Sequence, residues 1–221
     1  MKFIDFINNL NVEERKNFEH YSSIRGIQVY RIIYECLAKN GDSITYSDVN
    51  AFVKYDKAIK DVLYKYLGTL EEFIKNFIFI NYDFVNNEEL TKDFYIYFKD
   101  LPVVEKRDVN SFEITELYKR FSLMFGEIIK FLKEYEVNQL DVEKLEKVRK
   151  LRNNVMHHSP LLFDCNFASI KDATEEQIDC LIKSLPKQYH IGITNELAEK
   201  TNATRRNINS TFYKYLLFRE E

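Results

Sequence analysis

Tryptophan is absent from this chain of 221 residues, and glycine, proline and cysteine are scarce, at five, three and three. So few breakers, set beside abundant Glu, Lys, Leu and Ile, argue for an all-α protein with long elements. No run approaches the ~20 apolar residues of a membrane span, so no membrane partner is expected. The start, Met1-Lys2-Phe3-Ile4-Asp5-Phe6, carries an early acid and lacks the small-residue cleavage site of a secretory signal. Cys36, Cys165 and Cys180 are odd in number and show no pairing pattern, which fits a reducing cytoplasm. Without a Cys-x-x-Cys, and with four histidines, a structural zinc site is not expected, nor any other cofactor. An excess of positive charge is also missing: the formal net charge is -3, so contact with nucleic acid must rely on local patches.

What is present is enough for a core. Apolar residues make up 45% of the chain and charged residues 30%. A first helix is predicted from Asn11 to Lys39, with Asn11 and Glu14 forming a capping box, Asn40-Gly41 as the stop, and Phe18, Ile24, Ile27, Ile32 and Ile33 among its apolar residues. A longer helix, capped by Ser47 or Asp48, carries apolar residues at three- and four-residue spacing from Val49 to Ile78. Gly68 in its middle marks a bend or a close helix contact. Further helices are expected over 88–99, 111–135 and 174–185, the last stopped by Pro186, with connectors at 104–110 and 163–172. Short loops make antiparallel neighbours of these helices.

The most informative stretch is the helix that Asp141 caps and Pro160 follows. At about 100° per residue, Val142, Leu145, Val148, Leu151, Val155 and Met156 form one stripe, and Arg152 falls in its middle. A guanidinium keeps its proton and is costly to bury alone. Either a buried acid meets it, or the stripe lines a cleft or subunit seam where an anion arrives. Asn153 and His157 are four apart and share a face. Arg152 lies about 140° from His157, a gap its long side chain narrows. Imidazole, guanidinium and amide together suffice for metal-free RNA cleavage. His157 can take the proton of a ribose 2′-hydroxyl near neutral pH. Arg152 stabilises charge gathering on the phosphate oxygens, and Asn153 positions phosphate or imidazole. One histidine does not easily serve as base and acid together, so a second copy across a two-fold axis is expected to supply the acid, which makes a homodimer. The competing reading is structural, with His157 or His158 capping the last helical carbonyls.

The run Leu151-Arg152-Asn153-Asn154-Val155-Met156-His157-His158-Ser159-Pro160-Leu161-Leu162 resembles the signature of the HEPN superfamily, and within it the Abi-like (abortive infection) proteins. The segment from Tyr55 through Lys75 resembles that family's first bundle helix. The resemblance covers about Ser47 to Leu162, is specific at the Arg-Asn-x3-His-His core, and does not extend over the N-terminal part. It implies a dimeric four-helix bundle and a metal-independent endoribonuclease that leaves 2′,3′-cyclic phosphate ends. Arg152 and His157 then carry the chemistry, Asn153 fills the polar slot and His158 is a supporting residue. Toxin or antiphage effector is the role implied, with an antitoxin protein or regulatory small RNA as partner. Glu72 is a further candidate, to pair with Arg152 or orient His157; a solvated surface acid is its ordinary reading.

Two regions follow from this: a HEPN-like helical bundle over 1–172 and a C-terminal helical extension over 173–221. In the extension, Ala198 suits the close approach of two helices, and Asn202 suits a left-handed turn residue. A helix-turn-helix would place Thr204, Arg205, Asn207 and Asn209 at the start of a recognition helix. The segment from Lys187 to Arg219 holds six basic residues against two acids. Thr204, Arg205 and Arg206 are therefore candidates for nucleic-acid contact. Arg149 and Lys150 on the motif helix are candidates to guide RNA; a solvated mixed-charge face has the same pattern. The rival functions are a catalytically silent RNA- or protein-binding module and a helix-turn-helix transcriptional regulator.

Overall fold

A computed structural model describes residues 2–39, 43–82, 125–134, 140–161 and 171–217. Among them every regular element is helical and there is no strand, so the chain is all-α. In chain order they are α1 (Phe3–Asn8), α2 (Val12–Arg25), α3 (Ile27–Ala38), α4 (Tyr46–Tyr82), α5 (Phe125–Glu134), α6 (Val142–Met156), α7 (Lys171–Ser184) and α8 (His190–Lys200), with 3-10 turns at Lys187–Tyr189 and Ser210–Tyr215. The helix expected over 88–99, the connector over 104–110, most of 111–135 and the stop at Asn40-Gly41 lie outside the described residues, as does Cys165. None of the described helices is long and apolar enough to cross a membrane.

α4 is the spine. Its 37 residues span about 55 Å at 1.5 Å per residue, and α3, α6, α7 and α8 all pack on it. The reason is the stripe read from sequence: Val49, Phe52, Val53, Ile59, Val62, Leu63, Tyr66, Leu67, Leu70, Ile74 and Ile78 are buried in one continuous core. Each fully buried residue of this size contributes roughly 1.5–3 kcal/mol. The N-terminus is set by Thr45 rather than Ser47 or Asp48. The Thr45 Oγ1 accepts the Asp48 amide at 3.2 Å and the Asp48 carboxylate accepts the Thr45 amide at 3.0 Å, a reciprocal cap. A Cβ at Gly68 would meet nothing within 4 Å, so that glycine does not serve a close helix contact.

The single helix expected from Asn11 to Lys39 is two. Its capping box forms as expected, with Glu14 amide to Asn11 Oδ1 at 2.9 Å and Asn11 amide to Glu14 Oε2 at 3.1 Å. At Gly26 the backbone turns to φ 86°, a conformation that only glycine adopts freely, and the chain changes direction. Ile24 and Ile27 flank that break and are consequently exposed, while Phe18 and Ile33 are buried. α1, which periodicity did not reveal, packs Phe6 on Tyr34 with ring centroids 4.5 Å apart.

The C-terminal region shares the same core. The Tyr55 hydroxyl donates to the Leu217 carbonyl at 3.3 Å and accepts the Leu217 amide at 3.0 Å. Phe52 lies edge-on to Phe212 and Tyr215. α8 comes so close to α4 that a Cβ at Gly192 would sit 2.9 Å from the Tyr66 hydroxyl. Glu196 fixes that crossing by accepting from Lys65 at 2.5 Å and from Tyr66 at 2.9 Å. α7 begins at Lys171, before the expected start at Thr174. Thr174 is buried inside the helix and donates to the Leu161 carbonyl at 2.6 Å.

Candidate functional site on helix α6

α6 starts where expected: the Asp141 Oδ1 accepts the Lys144 amide at 3.1 Å. The Lys144 ammonium, 2.7 Å away, holds the Asp141 carboxyl below its ordinary range. Leu145, Val148, Leu151 and Val155 are buried, as the stripe required. Four cations of the helix meet acids. Lys144 pairs with Asp141, Lys147 with Glu176 at 2.5 Å and Arg149 with Glu146 at 2.7 Å. Lys133 also reaches Glu146, and these two cations, Lys133 first, lower its carboxyl. Lys150 is exposed.

Arg152 is the fourth, and its pairing is the loosest. Nη2 stands 3.9 Å from Glu71 Oε1 across the seam between α6 and α4, and the Arg152 side chain keeps 26% of its surface in solvent. Its Nε is buried and, among the described residues, has no hydrogen-bond partner. Of the two alternatives for the stripe position, the structure shows the first: an acid faces the guanidinium, though at the outer limit of an ion pair and without sealing it from solvent. The acid is Glu71, not Glu72, which is exposed. One residue rotates a helical side chain by about 100°, enough to exchange the seam for solvent.

The end of α6 closes by a Schellman motif. His157 is the C-cap, and its amide donates to the Asn153 carbonyl at 2.9 Å. His158 takes φ 56°, the left-handed conformation, and its amide donates to Val155 at 3.2 Å while that of Ser159 reaches back to Asn154 at 2.9 Å. Asn153, His157 and His158 are all exposed. The structure therefore places an open imidazole and an open amide at the helix end, with the half-buried guanidinium just over one turn earlier. Two cavities among the described residues, about 700 and 270 Å³, are lined by none of Arg152, Asn153 and His157.

Sequence reading missed what lies beneath the two histidines. Asp56 and Lys60 of α4 are both buried, at 5% and 6% exposure, and pair with each other. Lys60 Nζ also donates to the His158 carbonyl at 3.1 Å, and Asp56 Oδ1 accepts the Leu161 amide at 2.7 Å. Burial pushes the Asp56 carboxyl upward, against the pull of Lys60 and the Leu161 amide. The only sequence trace of this pair is an acid and a lysine four residues apart on a helix, which also describes the exposed pair Lys57 and Asp61.

The C-terminal candidates form no recognition helix. After α8 the chain runs through turns from Thr201 to Asn207 and then the 3-10 turn. The left-handed residue is Asn207, φ 54°, not Asn202. Asn202 instead accepts the Arg205 amide at 3.0 Å. Arg205 pairs with Glu199 at 3.2 Å, and Arg206 Nε donates to the Lys200 carbonyl at 3.3 Å. Thr204 is exposed. Among the described residues, no hydrogen bond or ion pair links these three to the α6 site. Nor is any group of three or more His, Cys, Asp or Glu side chains among them arranged to hold a metal.

No family model, curated protein or solved structure matches this chain.

Proposed function

We propose that this protein is a metal-independent endoribonuclease of HEPN type, acting as a homodimer in the cytoplasm as a toxin or antiphage (abortive infection) effector. One observation carries the reading: among the described residues, Arg152 stands in an apolar stripe with an Nε that has no hydrogen-bond partner, an acid at the outer limit of an ion pair, and a quarter of its side chain in solvent. A phosphodiester oxygen satisfies such a fork better than water does. His157 removes the proton from the ribose 2′-hydroxyl. The 2′-oxygen bonds to phosphorus, Arg152 stabilises the charge on the phosphoryl oxygens, and the 5′-oxygen leaves with a proton from a second copy's His157. The products are a 2′,3′-cyclic phosphate and a 5′-hydroxyl. Asn153, on the same face as His157, holds the phosphate. An antitoxin protein or small RNA restrains the activity.

Incubation of the purified protein with RNA in EDTA tests this. Cleavage with cyclic-phosphate ends is expected, and His157→Ala should lower kcat by about two to four orders of magnitude. Loss of all cleavage in EDTA, or an unchanged rate for the variant, overturns it. A catalytically silent binding module is the second reading, and the Glu71–Arg152 pair favours it, since an internal acid offsets the charge. In that case the wild type forms no cyclic phosphate, and Arg152→Ala alters affinity or dimerisation alone.

A further inference from the structure

We propose that Asp56 and Lys60 are positioning residues for His157, holding the two-histidine turn in a single conformation from beneath. This rests on the reading of His157 as the general base and adds residues that the reading does not use. His158 sits at C′, where glycine is the usual residue, in a left-handed conformation that L-residues adopt at a steric cost. Something must hold it there. Lys60 grips the carbonyl of His158 itself, and Asp56 grips the amide of Leu161, three residues on. The two grips straddle Ser159 and Pro160, and they come from adjacent turns of α4. Thr174 of α7 takes the Leu161 carbonyl, so both peptide groups of Leu161 are held. His157 is the residue immediately before the gripped carbonyl, and it is exposed. The clamp therefore sets where its imidazole stands relative to Arg152, which α4 also meets, through Glu71.

A buried ion pair on the inner face of α4 has a simpler reading, a helix-to-helix strut. Two features separate the readings. The polar contacts go to backbone of the motif turn, not to side chains of α6, and one of them holds the carbonyl of the left-handed residue itself.

The test is the double variant Asp56→Asn/Lys60→Met. It keeps the shape, keeps an acceptor for the Leu161 amide and leaves no unpaired buried charge, so the fold is expected to survive. Three measurements follow. Helical circular dichroism and Tm report folding. Amide hydrogen exchange at Ser159, and the line width of the His157 ring in NMR, report the turn; exchange at least tenfold faster and a broadened or doubled ring signal are expected. On RNA, kcat should fall at least tenfold with KM changed less than about twofold, the pattern of a group acting only in the transition state. A folded double variant whose Ser159 exchange and His157 signal match the wild type overturns the proposal, whatever the enzyme does. Should the double variant fail to fold, Lys60→Arg decides by the same signals. Arginine's longer fork cannot reproduce the ammonium's position, so an unchanged ring signal there also overturns it. Failure of the ribonuclease reading shows separately, as wild-type protein that cuts no RNA.

Discussion

The chain closes a helical turn with the same backbone device twice, and the two copies differ in what holds them. At 154–159 and at 203–208 the amide pattern is identical: Ser159 to Asn154 and His158 to Val155 in one, Ile208 to Ala203 and Asn207 to Thr204 in the other. Each has a left-handed residue other than glycine, His158 at φ 56° and Asn207 at φ 54°. Each displays cations or imidazoles. Yet the first is pinned by a buried ion pair about a hundred residues away in sequence, and the second by neighbours: Asn202, Glu199 and the Lys200 carbonyl. A locally closed turn needs little from the rest of the fold. A turn held from a distant helix is placed in space as well as in shape, and placement is what a reacting group needs.

The sharpest break between the two turns is chemical. Arg152→Ala is expected to lower kcat for RNA cleavage about 10²–10³-fold, with Arg152→Lys recovering little because an ammonium lacks the planar fork. Asn202→Ala, the local cap of the second turn, should leave kcat as it was. Steady-state cleavage with a fluorescent RNA reads both.

Stability separates them next. Asp56→Ala strands the Lys60 ammonium in the core, and removing one partner of a buried pair costs about 3–5 kcal/mol. Glu199→Ala removes an exposed partner of Arg205 and should cost less than about 1 kcal/mol. Urea unfolding followed by circular dichroism gives both values, and a small loss for Asp56→Ala would mean that the pair is hydrated.

At the left-handed residues the turns should behave alike. His158→Val and Asn207→Val each place a β-branched residue where φ is positive, at a cost of about 1–2 kcal/mol. His158→Gly and Asn207→Gly should be neutral or slightly stabilising, because glycine adopts that φ freely. A Tm series checks this; a stabilising valine at either place would contradict the assigned backbone.

The smallest effect is on pH dependence. Asp141, Glu146 and Glu196 are held below their ordinary values, first by hydrogen bonds from Lys144, Lys133 and Lys65. Their folded-state values are lowered. Their contribution is therefore present above the ordinary carboxylate range of about 3.9–4.3 and is lost as pH falls through the lowered values. The triple variant Asp141→Asn/Glu146→Gln/Glu196→Gln should unfold with a weaker acid dependence below about pH 4. An unchanged acid limb would assign acid unfolding to other carboxylates.

Much of this was readable along the chain, for a stated reason. The α4 stripe, the Asn11–Glu14 box, the Asp141 cap and the Pro186 stop are all patterns within a few residues, and the helix enforces them locally. Arg152 stood out because a cation in an apolar stripe breaks a local rule. The misses involve partners far away or a single turn of register. Gly26 breaks a helix whose periodicity reads through it. Glu71 and Glu72 are adjacent acids, and only the direction of α4 beside α6 picks one. Asn202 and Asn207 both suit a left-handed turn, and the closure between Ala203 and Ile208 chooses the latter.

The amino-acid order alone determined that this is a helical protein, where α6 begins and ends, and that Arg152 shares its stripe with oily side chains. These follow from 3.6-residue periodicity and capping, which need no neighbour. Only the tertiary structure decided that Lys60 is buried while Lys57 on the same helix is exposed, that Glu71 faces the guanidinium, and that the carbonyl of His158 is held from below. The free energy of a charge depends on what excludes water from it, and around Lys60 and Arg152 that is done by segments remote in sequence.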